Sequence, residues 1–334
     1  MEILDSAERD AVSAFIINKF RGDLSLLEPG LAWLEERTGK PVLGVVPYYR
    51  DIEIAEEDSV SLERRQRMKA MTDYVLDIAV MGLPHISNFD DFDPLAREPG
   101  VRLRYVEGRD SLGEPDLIII PGTKTTMADL AWLRERGFAD EICRQAGSGT
   151  PVIGICGGYQ MMGRRILDPH GVESPDQEEA GLQLLPVDTV FAPVKETHRV
   201  RGTVSIGSGL LSHSGGASVD GYEIHMGSSI HQENVVAPFS ISRAGRDAES
   251  DGALSESGRV LGTYIHGLFN SHALRRTVLE QIAAWKGVSL PPRSDTGGQL
   301  SRDSEYDKLA ETVRSSLNME LLYRITDLET PEID

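Results

Sequence analysis

A chain of 334 residues with a net charge of −19 and two cysteines rules out several classes at once. So acidic a molecule is poorly suited to nucleic acid or an anionic membrane surface, and two thiols make no disulfide framework, which points to a reducing, cytoplasmic setting. No apolar run approaches the roughly 18 residues of a membrane-spanning helix, and the acidic start MEILDSAERD does not read as a signal peptide.

In chain order, SAFIINKF reads as a strand, LLEPGLAWLEERTG as a helical stretch containing a proline, and PVLGVVPY as a second strand. Together they make one βαβ unit with room for a right-handed crossover. One such unit buries too little surface to stand alone, so residues 1–72 are expected to be the last piece of a larger α/β sheet. The charged run IEIAEEDSVSLERRQRMKAM leads out of it.

A new α/β series starts near Tyr74, with DIAVMGLP, VRLRYV, DLIIIPG and PVIGIC as candidate strands. Three of these are continuous apolar runs, as strands buried on both faces require. Strands alternating with helical connections predict a doubly wound, mostly parallel sheet over 73–288, with its ligand site at the strands' C-terminal ends. After Gly181 the runs shorten, GRDAESDGALSESG reads as an exposed loop, and SESGRVLGTYIHGLF returns to strand, turn and helix. In the tail, 289–334, the spacing of Tyr306, Leu309, Val313 and Leu317 predicts a docked amphipathic helix.

The chemistry concentrates in VIGICGGYQMMG. Gly154, Cys156 and Gly158 form G-x-C-x-G between a buried strand and a helix, the sulfur counterpart of the nucleophile elbow. Glycines are needed there because a Cβ would collide where strand and helix meet. A helix N-terminus also favours the Cys156 thiolate. Cys143, within ADEICRQAG, lacks that context and reads as packing. A nucleophilic cysteine needs a base supplied by the fold. His266 ends the strand-like VLGTYIH and precedes Gly267, which ranks it first among eight histidines; His225, in GYEIHMG, is the competitor. Pro121-Gly122 ends another buried strand, so the amides of Gly122 and Gly157 are candidates for an oxyanion hole. GTKTT lacks the spacing of a phosphate loop, and no complete Walker motif occurs.

PGTKTT, GICGGYQMMG, GYEIHMG and GTYIHGLF together resemble the cobyric acid synthase family with its flavodoxin-like class I glutamine amidotransferase domain. FIINKFRGD, PVLGVVPYYRDIEIAEEDSV, ISNFDDFDPL and SEYDKLAETVR extend the resemblance from about Ala14 to the C-terminal helix. It implies that Cys156 attacks the glutamine amide with His266 as base, and that ammonia passes to a synthetase domain. There, ATP and magnesium drive amidation of peripheral carboxylates of adenosylcobyrinic acid a,c-diamide on the way to cobalamin. It also implies that residues 1–72 are the C-terminal remnant of a P-loop synthetase domain, the rest being supplied in cis or in trans. This chain itself would bind no cofactor and no metal.

Many related amidotransferases carry a glutamate two residues after the histidine. Leu268 stands there, so the resemblance implies a Cys156–His266 dyad, with Glu223 the nearest motif carboxylate. Glu223 and His225 remain candidates for substrate contact or for orienting the histidine, with a purely structural role for GYEIHMG at even weight. Other readings are a glutaminase for a different acceptor, cobyrinate or a lipid-linked muramyl peptide, and a silent docking module.

Overall fold

The computed structural model describes residues 1, 3–49, 73–108, 111–175, 177–232, 235–243, 247–292 and 302–327, so the run IEIAEEDSVSLERRQRMKAM lies outside the described residues. The chain forms two compact units, Met1–Ile54 with Asp295–Asp334, and Ala55–Ser294. In the first, α1 (Ser6–Ala11) precedes β1 (Phe15–Phe20), α2 (Leu24–Thr38) and β2 (Val42–Pro47). The strands pair in parallel, as a crossover helix between them requires. Asp23 caps α2 by accepting the Ser25 N–H, and Gly39 ends it in the left-handed conformation.

The second unit runs β3 (Leu76–Met81), α3 (Asp93–Ala96), β4 (Val101–Val106), β5 (Leu117–Ile120), α4 (Thr126–Glu135), α5 (Phe138–Gly147), β6 (Val152–Ile155) and α6 (Gly157–Met162). It continues through β7 (Arg165–Leu167), β8 (Glu178–Ala180), β9 (Val187–Val204), β10 (Ser218–His231), β11 (Phe239–Arg243), β12 (Glu249–Asp251), β13 (Ala253–Leu254), β14 (Val260–Thr263) and α7 (His272–Lys286). The main sheet has the order β13-β14-β6-β5-β3-β4, and every pairing is parallel except β13 with β14. Alternate residues of its strands enter two cores. Ile78, Val80, Ile119, Ile153 and Ile155 pack on the side of α7, while Ala79, Met81, Ile118, Ile120 and Val152 meet α4, α5 and α6. That is why these strands read as unbroken apolar runs: the sheet is doubly wound and covered on both faces.

A second sheet, β12-β11-β9-β7-β8 with β10 also on β9, is built around a long antiparallel ribbon. Opposite Gly227 the ribbon bulges, since Met226 pairs with Lys195 but Ser228 with Val190. The exposed loop expected at GRDAESDGALSESG is instead mostly structured: β12 and β13 lie within it, and Asp251, Ala253 and Leu254 are buried. Gly252, at φ +79°, turns the chain from one sheet to the other, and Asp251 accepts hydrogen bonds from the Thr263 hydroxyl and the Tyr264 N–H.

The tail completes the first unit rather than standing apart. It holds α8 (Arg302–Ser316) and α9 (Met319–Thr326), and Asn318 N–H donates to the Leu43 carbonyl at 2.7 Å. A Cβ on Gly44 would strike the Ser316 carbonyl, so this approach depends on glycine. Leu309, Val313 and Leu317 are half-buried, whereas Tyr306 is 53% exposed. Among the described residues, no helix is long and apolar enough to cross a membrane.

Candidate active site

Cys156 stands at the junction of β6 and α6 with φ 52° and ψ −112°, a strained conformation for a residue with a Cβ. The strain is imposed from both sides. Cys156 N–H donates to the Thr263 carbonyl on neighbouring β14 at 2.8 Å, and its carbonyl accepts from Gln160 N–H at 3.0 Å as α6 begins. A Cβ on Gly158 would run into the Ile120 carbonyl, and one on Gly154 would lie 2.6 Å from the Met162 methyl. The glycines thus let α6 lie directly against β5 and β6. The thiol is nearly buried and donates to the Ile224 carbonyl at 3.3 Å.

His266 arrives just after β14, the strand beside β6, and is wholly buried. Its backbone bridges to Tyr222 in both directions, and its ring stacks on the Tyr222 ring at 5.1 Å and 15°. Asn88 Nδ2 donates to the Tyr222 hydroxyl at 2.7 Å, which fixes the stacked ring. Nδ1 of His266 lies 2.7 Å from Asp91 Oδ2, while Asp91 Oδ1 accepts the Gly267 N–H at 2.7 Å. The histidine therefore has a carboxylate partner, and the expectation of a dyad without one gives way to a Cys–His–Asp grouping. Asp91 comes from the short turn Phe89–Phe92 between β3 and β4, held inward by buried Phe89 and Phe92.

A Cβ built on Gly122 would lie 2.9 Å from His266 Cε1 and 3.6 Å from Cys156 Cβ, so thiol and imidazole flank the same glycine. Nε2 of His266 is buried, with no hydrogen bond of ordinary geometry. Burial disfavours the charged ring, but the Asp91 carboxylate and the adjacent Cys156 sulfur outweigh it and raise the His266 pKa to about 10.

Gly122 belongs to a loop pinned from two sides. Its carbonyl accepts the Ser87 N–H at 2.9 Å, and Thr123 Oγ1 donates to buried Asp129 at 2.5 Å. Gly157 opens α6, where N–H groups have no partner within the helix, and its Cβ position would be 2.7 Å from Thr123 Cγ2. The loop bearing Gly122 and the helix start bearing Gly157 are therefore neighbours beside Cys156.

GYEIHMG supplies a wall of the site. Tyr222 stacks on His266, and Ile224 takes the thiol bond. Glu223 points away: it is fully buried and paired with Arg243 at 2.7 and 3.1 Å, without a bond to His266. His225 stacks on Tyr264 at 4.0 Å, and its Nδ1 is 2.8 Å from the Gly227 carbonyl. Burial lowers its pKa. Cys143 is half-buried, with its thiol donating to the Leu182 carbonyl.

A cavity of about 380 Å³ opens on Cys156, between Ser87, Thr126, Gln160, Phe191, Ile224 and His225. It also carries Glu173, Lys124 and Lys195. A more open cavity of about 480 Å³ is lined by the ion pairs of Asp77 with Arg102 and Arg104 and of Lys286 with Asp116. Among the described residues, no His, Cys, Asp and Glu cluster of three could hold a metal ion.

A strained strand-end thiol with a buried histidine–carboxylate pair defines a cysteine-dependent acyl-transfer site on a doubly wound sheet. Residues 77–274 match the CobB/CobQ-like glutamine amidotransferase domain, and the chain belongs to that family. It is 47% identical to a cobyric acid synthase of Sorangium cellulosum, over 98% of this chain and 65% of that protein. A cobyric acid synthase of Moorella thermoacetica is likewise 47% identical, over 99% of this chain and 64% of the relative. The chain thus spans a little under two thirds of the length of these relatives. Among solved structures, PurLQS from Thermotoga maritima overlaps with a TM-score of 0.47 at 19% identity, covering 61% of this chain and 97% of that one.

Proposed function

We propose that this chain hydrolyses the side-chain amide of glutamine and is the ammonia-producing portion of a cobyric acid synthase. The observation that carries the reading is the meeting of Cys156 and His266 at Gly122, with Asp91 behind the histidine and a cavity opening on Cys156. Asp91 accepts the hydrogen bond of Nδ1–H and favours the protonated ring, so the proton of the thiol passes to Nε2 before the sulfur attacks. The sulfur adds to the amide carbon, and the N–H groups of Gly122 and Gly157 receive the oxyanion. As the C–N bond breaks, His266 returns the proton to the leaving nitrogen, ammonia departs, and a γ-glutamyl thioester remains. Water then attacks the thioester, His266 accepts its proton, and glutamate and the thiol are released.

The cavity suits a zwitterionic amino acid. Glu173 is the carboxylate for an α-ammonium group, and Lys195 the cation for an α-carboxylate.

The acceptor in this reading is a corrinoid carboxylate, that of adenosylcobyrinic acid a,c-diamide, amidated by an ATP-dependent synthetase portion in cis or in trans. Support comes from the names of the relatives and from the third of their length that this chain does not span. The first unit offers a docking face for that portion: a two-stranded sheet with Leu26 and Trp33 exposed on its helix. In this reading ATP and magnesium belong to the synthetase portion, as the lack of a phosphate-loop pattern in this sequence suggests.

Glutamate release without ATP or corrinoid, measured beside Cys156→Ala, tests the reading. Turnover lost in the variant is the expected result. No release by either protein, even after the synthetase portion is added, would leave only a docking module.

A further inference from the structure

Asp168, directly after β7, has no exposed surface. Its carboxylate accepts three successive backbone N–H groups, from Val172 at 2.7 Å, Glu173 at 2.8 Å and Ser174 at 3.1 Å. The backbone closes the same loop: Asp168 N–H donates to the Gln177 carbonyl at 2.8 Å, and Gly171 N–H to the Asp168 carbonyl at 3.2 Å. Gly171 takes φ +62°, the left-handed turn that the closure needs. Burial opposes the Asp168 charge, but the backbone donors hold its pKa below the usual carboxylate value. A strap from 168 to 175 is therefore folded around one anion.

What the strap presents is Glu173. Its carboxylate accepts Met127 N–H at 3.1 Å and the Thr126 hydroxyl at 3.4 Å, at the start of α4, and it lines the cavity that contains Cys156. Among the described residues no lysine or arginine pairs with it, and burial pushes its pKa up. A half-buried carboxylate without a cation, facing a substrate cavity, is suited to receive one.

We infer that Asp168 is a positioning residue, which sets the strap so that Glu173 meets the α-ammonium group of the substrate and the cavity selects an amino-acid amide over a plain carboxamide acid. This rests on the role given to Glu173 under Proposed function. A residue that merely folds the loop would affect every ligand alike. One that positions Glu173 affects only ligands bearing the ammonium group.

The test uses the full chain with Cys156→Ala, so that nothing is hydrolysed, titrated calorimetrically with L-glutamine and with 4-carbamoylbutanoate, which lacks the amino group. The parent is expected to prefer glutamine, and Glu173→Gln to reduce that preference by about tenfold or more, the worth of a charge-assisted hydrogen bond. Asp168→Asn should reduce it similarly, leave 4-carbamoylbutanoate binding unchanged, and add nothing to Glu173→Gln. Gly171→Ala, which strains the turn but leaves the carboxylate, should lower the preference in the same sense and serves if Asp168→Asn does not fold. Equal losses for both ligands, additive losses with Glu173→Gln, or no loss in Asp168→Asn and Gly171→Ala would overturn the role of Asp168 alone. A parent without preference for glutamine, or an unchanged preference in Glu173→Gln, would remove the reading of Glu173 and this inference with it.

Discussion

Asp91 holds His266 with one carboxylate oxygen, 2.7 Å from Nδ1, and with the other grips the N–H of the next residue, Gly267. Ring and backbone are thereby fixed by one buried side chain supplied from another connection of the main sheet. Asp91→Asn keeps the shape but can offer an N–H to Nδ1, which turns Nε2 into the wrong tautomer. Glutamine hydrolysis should fall by about 10³–10⁴-fold, with circular dichroism and KM little changed. An unaltered kcat would mean that the pair is structural.

The same pair fixes a pH dependence. The folded-state pKa of His266 is raised from 6.5 to about 10, so the protonated ring stabilises the fold fully below about pH 6.5. That contribution is lost as pH rises through about 10. Denaturant unfolding of the wild type should show stability declining across this window, and Asp91→Asn should flatten the decline. The ring proton's NMR titration near pH 10, moved downward in Asp91→Asn, checks the assignment directly.

Gly122→Ala separates geometry from fold. The added methyl would meet His266 Cε1 at 2.9 Å, and that ring is clamped between Tyr222 and Asp91, so it must shift as a unit. Overpacking of this kind costs about 1–3 kcal/mol of stability, while loss of the aligned oxyanion donor and imidazole should lower kcat by at least about 10². A folded protein with undiminished kcat would remove Gly122 from the mechanism.

Tyr222 is the test of what GYEIHMG does. Tyr222→Phe keeps the ring on His266 and loses the hydroxyl that accepts from Asn88, so kcat should drop less than about tenfold, on the scale of a neutral hydrogen bond. Tyr222→Ala removes the stacked surface and should cost considerably more, with the loss in kcat rather than KM. Equal activities in the two variants would show that stacking is immaterial.

The main sheet was legible because strands buried on both faces leave a run of apolar residues with no alternation, as in DLIIIPG. The elbow was legible because Gly154 and Gly158 mark where a Cβ would strike backbone. Asp91 was not, because a residue orienting a histidine needs only to reach it in space; its signal, two aspartates between phenylalanines, becomes readable once Phe89 and Phe92 are seen buried. The β12–β13 crossover was hidden by composition. Glycine, serine and acidic residues look like a loop, yet Asp251 is drawn inward by the hydroxyl of Thr263 and the amide of Tyr264.

Glu223 carries the last prediction. It is fully buried, and Arg243, its cation, also pairs with Glu249 at the surface. Removing one member of a buried pair strands the other charge, so Arg243→Met should destabilise the protein by about 3–5 kcal/mol. Glu223→Gln with Arg243→Met should recover much of that loss, since no uncompensated charge then remains. Because Glu223 makes no bond to His266, the double variant should retain glutaminase activity at temperatures where it is folded. Chemical unfolding and glutamate release measured on the same preparations decide it. A folded double variant without activity would return Glu223 to the catalytic apparatus.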